Sequence, residues 1–161
     1  MAEPRYELRP IGRVDASGNP MSLQIDETFR PALEGLAGFS HTVVVFWCHL
    51  ADTDESRGLL TYEQPYANAP DRLGIFATRS PARPNPIGIT AVPILHLDPE
   101  NGAIHIPFID AEDGTPILDL KPYQPSFDRI RDVRTPEWCA HWPQWGEDSA
   151  TFDWAAEIGS P

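Results

Sequence analysis

Apolar residues recur along this chain in short bursts separated by turn-forming residues, a pattern that predicts strands rather than helices. Strand-like runs occupy Tyr6 to Val14, Leu23 to Ile25, Thr42 to Leu50, Gly74 to Thr78, Ile89 to Leu97, Ala103 to Ile109 and Ile117 to Leu120. Thr42 to Leu50 is apolar on both faces, as expected of a strand covered on both sides. Asp98-Pro99-Glu100-Asn101-Gly102 joins two runs and contains Asn-Gly, which predicts a hairpin there. Asp26 to Leu36 is the one helix candidate before the tail, with Phe29, Leu33 and Leu36 at helical spacing and Gly35 and Gly38 closing it. With 18 prolines and 11 glycines punctuating the rest, long helices are excluded. The expectation is a mainly β, single-domain fold: an open or closed β-barrel-like structure with short helices and a C-terminal aromatic arm.

Two stretches fall outside that pattern. Residues 51–72 form a long polar connection, of the kind that is functional or mobile in compact domains. From Thr135 the chain places Trp138, Trp142, Trp145, Phe152 and Trp154 among acids. Pro136 suits the first position of a helix, and Pro143 would interrupt one. The expected organisation is a β domain over residues 1–134 and an acidic, Trp-rich extension over 135–161, packed on the barrel or on a second subunit. Exposed barrel edges and an aromatic arm predict a homodimer.

The densest local chemistry lies in Gly74–Gly88. Pro81, Pro84 and Pro86 fix φ and remove backbone donors, so neither a helix interior nor a central strand can hold them. Ser80, Arg83 and Asn85, which precede them, are driven toward extended backbone. Arg79 and Arg83 then offer guanidinium forks, Ser80 a hydroxyl, and Asn85 both an acceptor and donors. A stiff loop with polar heads loses little entropy on gripping a polar ligand. This loop is read as a binding element.

Charge narrows the partners. Twelve basic against 24 acidic residues give a formal charge of −12, and Lys121 is the only lysine. A duplex or tRNA binder should show a basic face, because phosphate neutralisation supplies much of its affinity. The five acids from Thr135 onward meet no Lys or Arg, which leaves −7 for residues 1–134. Arg57, Arg72, Arg79, Arg83 and Lys121 can still line a pocket sized for one anionic group. No apolar run approaches the roughly 20 residues that span a bilayer, and Met1-Ala2-Glu3-Pro4-Arg5 leads into no signal-type segment. A cytoplasmic protein is expected. Two cysteines are too few for a disulfide framework. Cys48-His49 and Cys139-x-His141 lack the pairing within each ligand set that zinc sites use, so no metal is expected. No glycine-rich turn follows a strand as a dinucleotide fold requires, and no Gly-x-Ser-x-Gly elbow is present.

Three blocks carry a family resemblance. Ala77-Thr78-Arg79-Ser80 with Arg83-Pro84-Asn85-Pro86-Ile87-Gly88 forms the first. The second is Asp113-Gly114-Thr115-Pro116 with Asp119-Leu120-Lys121-Pro122-Tyr123, and the third Leu33-Glu34-Gly35-Leu36 with Phe39-Ser40-His41 and, at the strand end, Cys48-His49. Together, over about residues 8–127, they resemble the TsaA-like family, also called the TrmO or YaeB family. That resemblance implies a β-barrel-like, usually dimeric, S-adenosylmethionine-dependent methyltransferase. Its best-known activity is N6-methylation of a modified adenosine, N6-threonylcarbamoyladenosine, at position 37 of tRNA. The positions it implies at the cofactor are His49, Leu50, Arg79, Ile89 and the segment Ala111–Gly114. The chain departs from fuller members in its short Val14–Pro20 stretch, which lacks their Pro-Arg-Gln loop. It also departs in having the tryptophan tail where longer bacterial members carry a C-terminal domain. Both departures weigh against tRNA.

Methyl transfer from a sulfonium asks the protein to align donor and nucleophile and to manage one proton. Arg79 suits the donor's carboxylate, with Ser80, Arg83 and Asn85 beside it in the loop. Asp113, Gly114 and Thr115 form a turn that can meet the amine and adenine with a carboxylate and backbone groups. Asp119 and Lys121 alternate along one strand and share a face. Asp119 can hold or deprotonate an acceptor amine and Lys121 can bind an acidic group, although a structural ion pair between Asp119 and an arginine is an equal alternative. Three readings follow: a tRNA methyltransferase, a methyltransferase of a small-molecule acceptor, and a cofactor-binding or interaction module without turnover.

Overall fold

The computed structural model describes residues 5–158. In chain order its strands are β1 (Gly12–Asp15), β2 (Met21–Ile25), β3 (His41–Trp47), β4 (Thr61–Glu63), β5 (Arg72–Gly74), β6 (Ile87–Pro93), β7 (His96–Asp98), β8 (Ala103–Ile106) and β9 (Pro116–Pro122). Among the described residues helices are short, none longer than the seven residues of the 3-10 segment Glu27–Leu33. None of the described helices is long and apolar enough to cross a membrane. The chain forms two compact units, one made of residues through Thr53 with Asn85–Arg129, the other of Asp54–Pro84 with residues from Ile130 onward.

The first unit holds a seven-stranded antiparallel sheet in the order β6-β3-β9-β1-β2-β8-β7. The sheet is open, with β6 and β7 at its edges, so the mainly β expectation holds in its open form. Alternation supplies the core. Val14, Leu23, Ile25, Val44, Phe46, Ile104, Ile106 and Ile117 are buried on one face, and Leu33 and Leu36 reach them from the 3-10 turns. Each such side chain contributes about 1.5–3 kcal/mol through loss of apolar surface to water. β3 lies between β6 and β9, which covers both of its edges. The Phe46 ring packs against Gly88 on β6, where any Cβ would run into it.

The hairpin at Asp98–Gly102 forms as expected. Asp98 accepts from the Asn101 backbone N–H and Nδ2, Gly102 takes φ +71°, and Asp98 pairs with Ala103. Four other expectations change. The run Ile89 to Leu97 is not one strand but two, β6 and β7, which join opposite edges of the sheet. Pro93 ends the first by removing a donor. Gly74 to Thr78 is not a strand: β5 stops at Gly74, and Ile75–Ala77 forms a 3-10 turn. Asp26 to Leu36 becomes two 3-10 segments, because Pro31 sits inside the first and Gly35, at φ +83°, breaks them apart. In the Tyr6 to Val14 run only the last residues pair, and Tyr6 and Leu8 stay exposed.

The second unit contains the β4–β5 hairpin and the helical turn Asp54–Arg57 within the polar connection. The tail returns to the same unit. Tyr66 bridges Ile158, and the Ala67 N–H donates to the Glu157 carbonyl at 2.8 Å.

Candidate functional site

In the first unit the expected residues gather around the end of β3. Past Trp47 the strand gives way to the 3-10 turn His49–Ala51, and the Cys48 N–H donates to the Pro86 carbonyl at 2.7 Å. That bond ties the end of the proline-rich run to the start of the His49 turn. Pro86 is fully buried, while Asn85 before it is exposed and accepts from the Ile87 N–H at 2.7 Å through its carbonyl. His49 is half-buried. Its Nδ1 lies 3.4 Å from the hydroxyl of buried Thr115, a residue 66 positions away.

Thr115 closes the turn that begins near Ala111. The Thr115 N–H donates to the Glu112 carbonyl at 3.1 Å, and Gly114 donates to Val14 at 2.8 Å. Gly114 sits at φ +75° with open space where a Cβ would stand, so its backbone can be approached closely. The Asp113 carboxylate accepts from the Ala16 N–H at 2.9 Å, which fixes the turn against the β1–β2 connection. His49, Ala111, Asp113, Gly114 and Thr115 are thus assembled from two separate sequence blocks. Leu50, 68 % exposed, follows His49 directly.

A second group lies on the outer face of the sheet. In register, Val45 of β3 stands between Ile89 of β6 and Asp119 of β9, and Val43 stands between Ala91 and Lys121. Side chains opposite one another across a ladder share a face, so Ile89, Asp119 and Lys121 all look away from the core. Ile89 is 50 % exposed. Neighbouring strands are about 4.8 Å apart, which puts the backbones of Ile89 and Asp119 roughly 10 Å from each other. The register shifts between Val45 and Phe46, so that Leu118 is an extra residue on β9. This bulge turns Asp119 outward after buried Ile117. Lys121 Nζ lies 2.7 Å from Asp119 Oδ2, and Asp119 Oδ1 accepts from the Leu120 N–H. The hydrogen bond that Lys121 donates to Asp119, and then the Asp119 charge, raise the Lys121 ammonium above the ordinary lysine range.

In the second unit the loop after β5 is knitted together by its own groups. Buried Ile75 donates to the Leu60 carbonyl, and the Thr78 hydroxyl donates to the Ile75 carbonyl at 2.9 Å. Ser80 N–H donates to Thr78 Oγ1 and Ala82 N–H to Ser80 Oγ. Arg83 turns inward: its Nη1 donates to the Thr78 carbonyl at 3.3 Å, with the Ser80 carbonyl at 3.5 Å. Arg57 adds a bond to the Pro84 carbonyl at 3.1 Å. Arg79 is exposed. The two arginines therefore differ, Arg83 bracing the loop and Arg79 presenting its side chain outward.

A cavity of about 480 Å³ in the first unit is lined by Ile11, Ile25, Phe29, Leu33, Leu36 and Asp119, among others. Of the expected site residues only Asp119 reaches it, so this apolar hollow does not coincide with the His49–Thr115 cluster. Neither the His49–Thr115 contact, the inward turn of Arg83, nor the packing of Tyr66 against Trp138 and Trp142 is marked by a local sequence motif. The proximity of Asp113-Gly114-Thr115 to Cys48-His49 left no local signal.

An open antiparallel sheet with a proline-braced arginine loop, rather than a doubly wound nucleotide fold, defines the class. Residues 9–129 match the family described as tRNA-methyltransferase O N-terminal domain. The chain belongs to that family. A Pyrococcus abyssi relative, named a probable S-adenosyl-L-methionine-binding protein, is 38 % identical over 125 residues, covering 78 % of this chain and 64 % of the relative. A Methanocaldococcus jannaschii relative of the same description is 39 % identical over 124 residues, covering 76 % of this chain and 96 % of its own length. A crystal structure of TrmO aligns with TM-score 0.65 at 30 % identity, covering 82 % of this chain and 64 % of that one. TrmO from Pseudomonas aeruginosa aligns with TM-score 0.66 at 28 % identity, covering 85 % and 63 %. The chain thus spans somewhat under two thirds of the length of the Pyrococcus relative and of the solved TrmO chains.

Proposed function

We propose that this chain binds S-adenosylmethionine and transfers its methyl group to a nitrogen nucleophile. The observation that carries the reading is the meeting of His49 with Thr115 beside the open Gly114 turn, because it joins two of the three family blocks in one place. The residues there suit the donor's chemistry. Asp113 and the exposed Gly114 backbone fit an amine and a purine edge, and Leu50 offers apolar surface. Ile89 on β6 and, in the second unit, Arg79 are the further residues assigned to the donor, one as apolar surface and the other as a permanent cation for a carboxylate. S-adenosylmethionine, when bound, supplies a methyl group that is already activated. The protein's own work is then to orient the acceptor and receive the proton that its nitrogen gives up. Asp119, paired with Lys121, is the carboxylate assigned to that proton.

Modified adenosine 37 of tRNA is the acceptor the family suggests. A small-molecule acceptor is the second reading, favoured by the charge of −12 and by the pairing of the sole lysine with Asp119. A homodimer joined through the open sheet edges is the proposed assembly, and sedimentation analysis reads its mass directly. Calorimetric titration with S-adenosylmethionine tests the donor: Arg79→Ala should weaken binding at least tenfold, and equal affinity would remove the assignment. Radiolabelled donor offered with bulk tRNA and, separately, with a metabolite extract distinguishes the acceptors. Donor binding with no label in either arm would leave a binding module instead.

A further inference from the structure

The seven-stranded sheet has a seam along β9. β1 pairs with β9 only at Gly12 with Ile117 and Arg13 with Pro116, and the Ile11 N–H still reaches the Ile117 carbonyl. Pro10 then has no N–H with which to continue the ladder. Beyond Ile117, β9 runs on with β3 as its only paired neighbour among the described residues. The Tyr123 N–H donates to the His41 carbonyl on that β3 side. Because N–H directions alternate along an antiparallel strand, the Leu120 N–H faces the other way, into the seam. Asp119 Oδ1 satisfies it at 2.9 Å. One carboxylate oxygen therefore stands at the seam, while Oδ2 meets Lys121 on the outer face.

The cavity of about 480 Å³ lies along this seam, lined by Ile11 on one side and by Asp119, Leu120 and Pro122 on the other. Its volume falls within the roughly 300–1,000 Å³ of small-ligand pockets. Buried Ile25, Leu33 and Leu36 and half-buried Phe29, Phe39 and Leu120 make its walls apolar. Two ionisable residues line it, Glu34 and Asp119, and both are acids. No Lys, Arg or His shares the lining. Such a pocket suits an apolar body that carries a positive charge. The body leaves water for hydrocarbon walls, and the carboxylates take charge-assisted hydrogen bonds from an ammonium. An anion of the same size would meet acids alone.

We propose that this cavity binds a small organic amine, its apolar body among Phe29, Leu33 and Leu36 and its ammonium at Asp119. As the acceptor class for methyl transfer, the amine rests on the function proposed above. Among the lining residues, Asp119 alone also shares the outer face of the sheet with Ile89. In that role Asp119 takes a proton from the ammonium and so frees the nitrogen lone pair. The pair forms the new N–C bond as the S–C bond of the donor breaks, and the proton passes on to solvent.

The first test needs no donor. Phenethylamine, titrated by calorimetry into the wild-type chain, should bind one to one and about tenfold tighter than phenethyl alcohol or hydrocinnamate. All three carry the same ring and differ in charge, so the comparison requires no variant to fold. Ala32 lines the cavity yet is exposed, so Ala32→Trp fills the space from its rim and should abolish binding. Asp119→Asn should weaken the amine about tenfold and leave the alcohol unchanged. No binding of the amine, or equal affinity for the three probes, overturns the proposal. Amine affinity that survives both substitutions places the ligand elsewhere and overturns it too. The second test offers phenethylamine with radiolabelled S-adenosylmethionine, and label on the amine supports the acceptor role. Bound but unlabelled amine, in a chain that binds the donor, overturns the acceptor role and leaves the pocket standing. If the donor itself fails to bind, the proposed function falls, and the titrations still decide the pocket.

Discussion

Lys121 and Asp119 close a 2.7 Å ion pair on the outer face of β9, two residues apart on one strand. The pair engages the two side chains with each other before any acceptor arrives. The second Asp119 oxygen is occupied by the Leu120 N–H, and in the proposed reaction this carboxylate receives the proton of an acceptor already bound. The Lys121 charge, held by this partner, is present at neutral pH and is lost only as pH rises through its raised value.

Asp119→Asn should therefore leave S-adenosylmethionine affinity within about twofold while lowering methyl transfer by about a hundredfold, the scale of a lost general base. Lys121→Met should shift the alkaline limb of the pH–rate profile. Full turnover in Asp119→Asn would remove Asp119 from the reaction.

Thr115→Val removes the hydroxyl facing His49 Nδ1 at little cost in volume. We expect weaker donor binding with an unchanged melting temperature, because the contact at 3.4 Å orients a half-buried ring more than it stabilises the fold. Calorimetry and thermal unfolding on the same samples separate the two. A fall in stability with intact affinity would assign the contact to folding alone.

Gly88→Ala sets a Cβ against the Phe46 ring, one pair from the end of the β3–β6 ladder. Overpacking of this kind costs about 1–3 kcal/mol, which chemical denaturation should register as a lower midpoint at constant m-value. An unchanged midpoint would mean that Phe46 moves aside freely.

Acid should loosen the tail. Glu157 is buried, its Oε2 lies 3.0 Å from His141 Nε2, and its carboxyl is held below the ordinary range chiefly by the His141 hydrogen bond. A carboxyl with a depressed folded value stabilises at pH above the unfolded range, and that contribution fades as pH falls through the folded value. Tryptophan fluorescence should show a transition below the ordinary carboxylate range, and Glu157→Gln should abolish it. Superimposable acid titrations for variant and wild type would count against the assignment.

The arginine loop was readable because its constraint is local. Each proline restricts its own φ and the backbone of the residue before it, and neither restriction depends on distant chain. The hairpin at Asp98–Gly102 was readable for the same reason, its turn being satisfied by Asp98 and Asn101. The 3-10 turn Ile75–Ala77 was misread as strand because apolar runs look alike whether they pair or fold back. Buried Ile75 and Thr78, not the pattern, decide that case.

Local sterics and the two-residue alternation of apolar side chains settled, from the chain alone, that this protein is a sheet with a stiff arginine segment and no nucleotide-cradling glycine turn. Which strands became neighbours was settled elsewhere. Ile89 and Asp119 flank Val45, Thr115 reaches His49, and Tyr66 slots among tail tryptophans only because long loops close to bury one apolar face. Such closures depend on the burial gained by the whole chain, and no short stretch of residues encodes that sum.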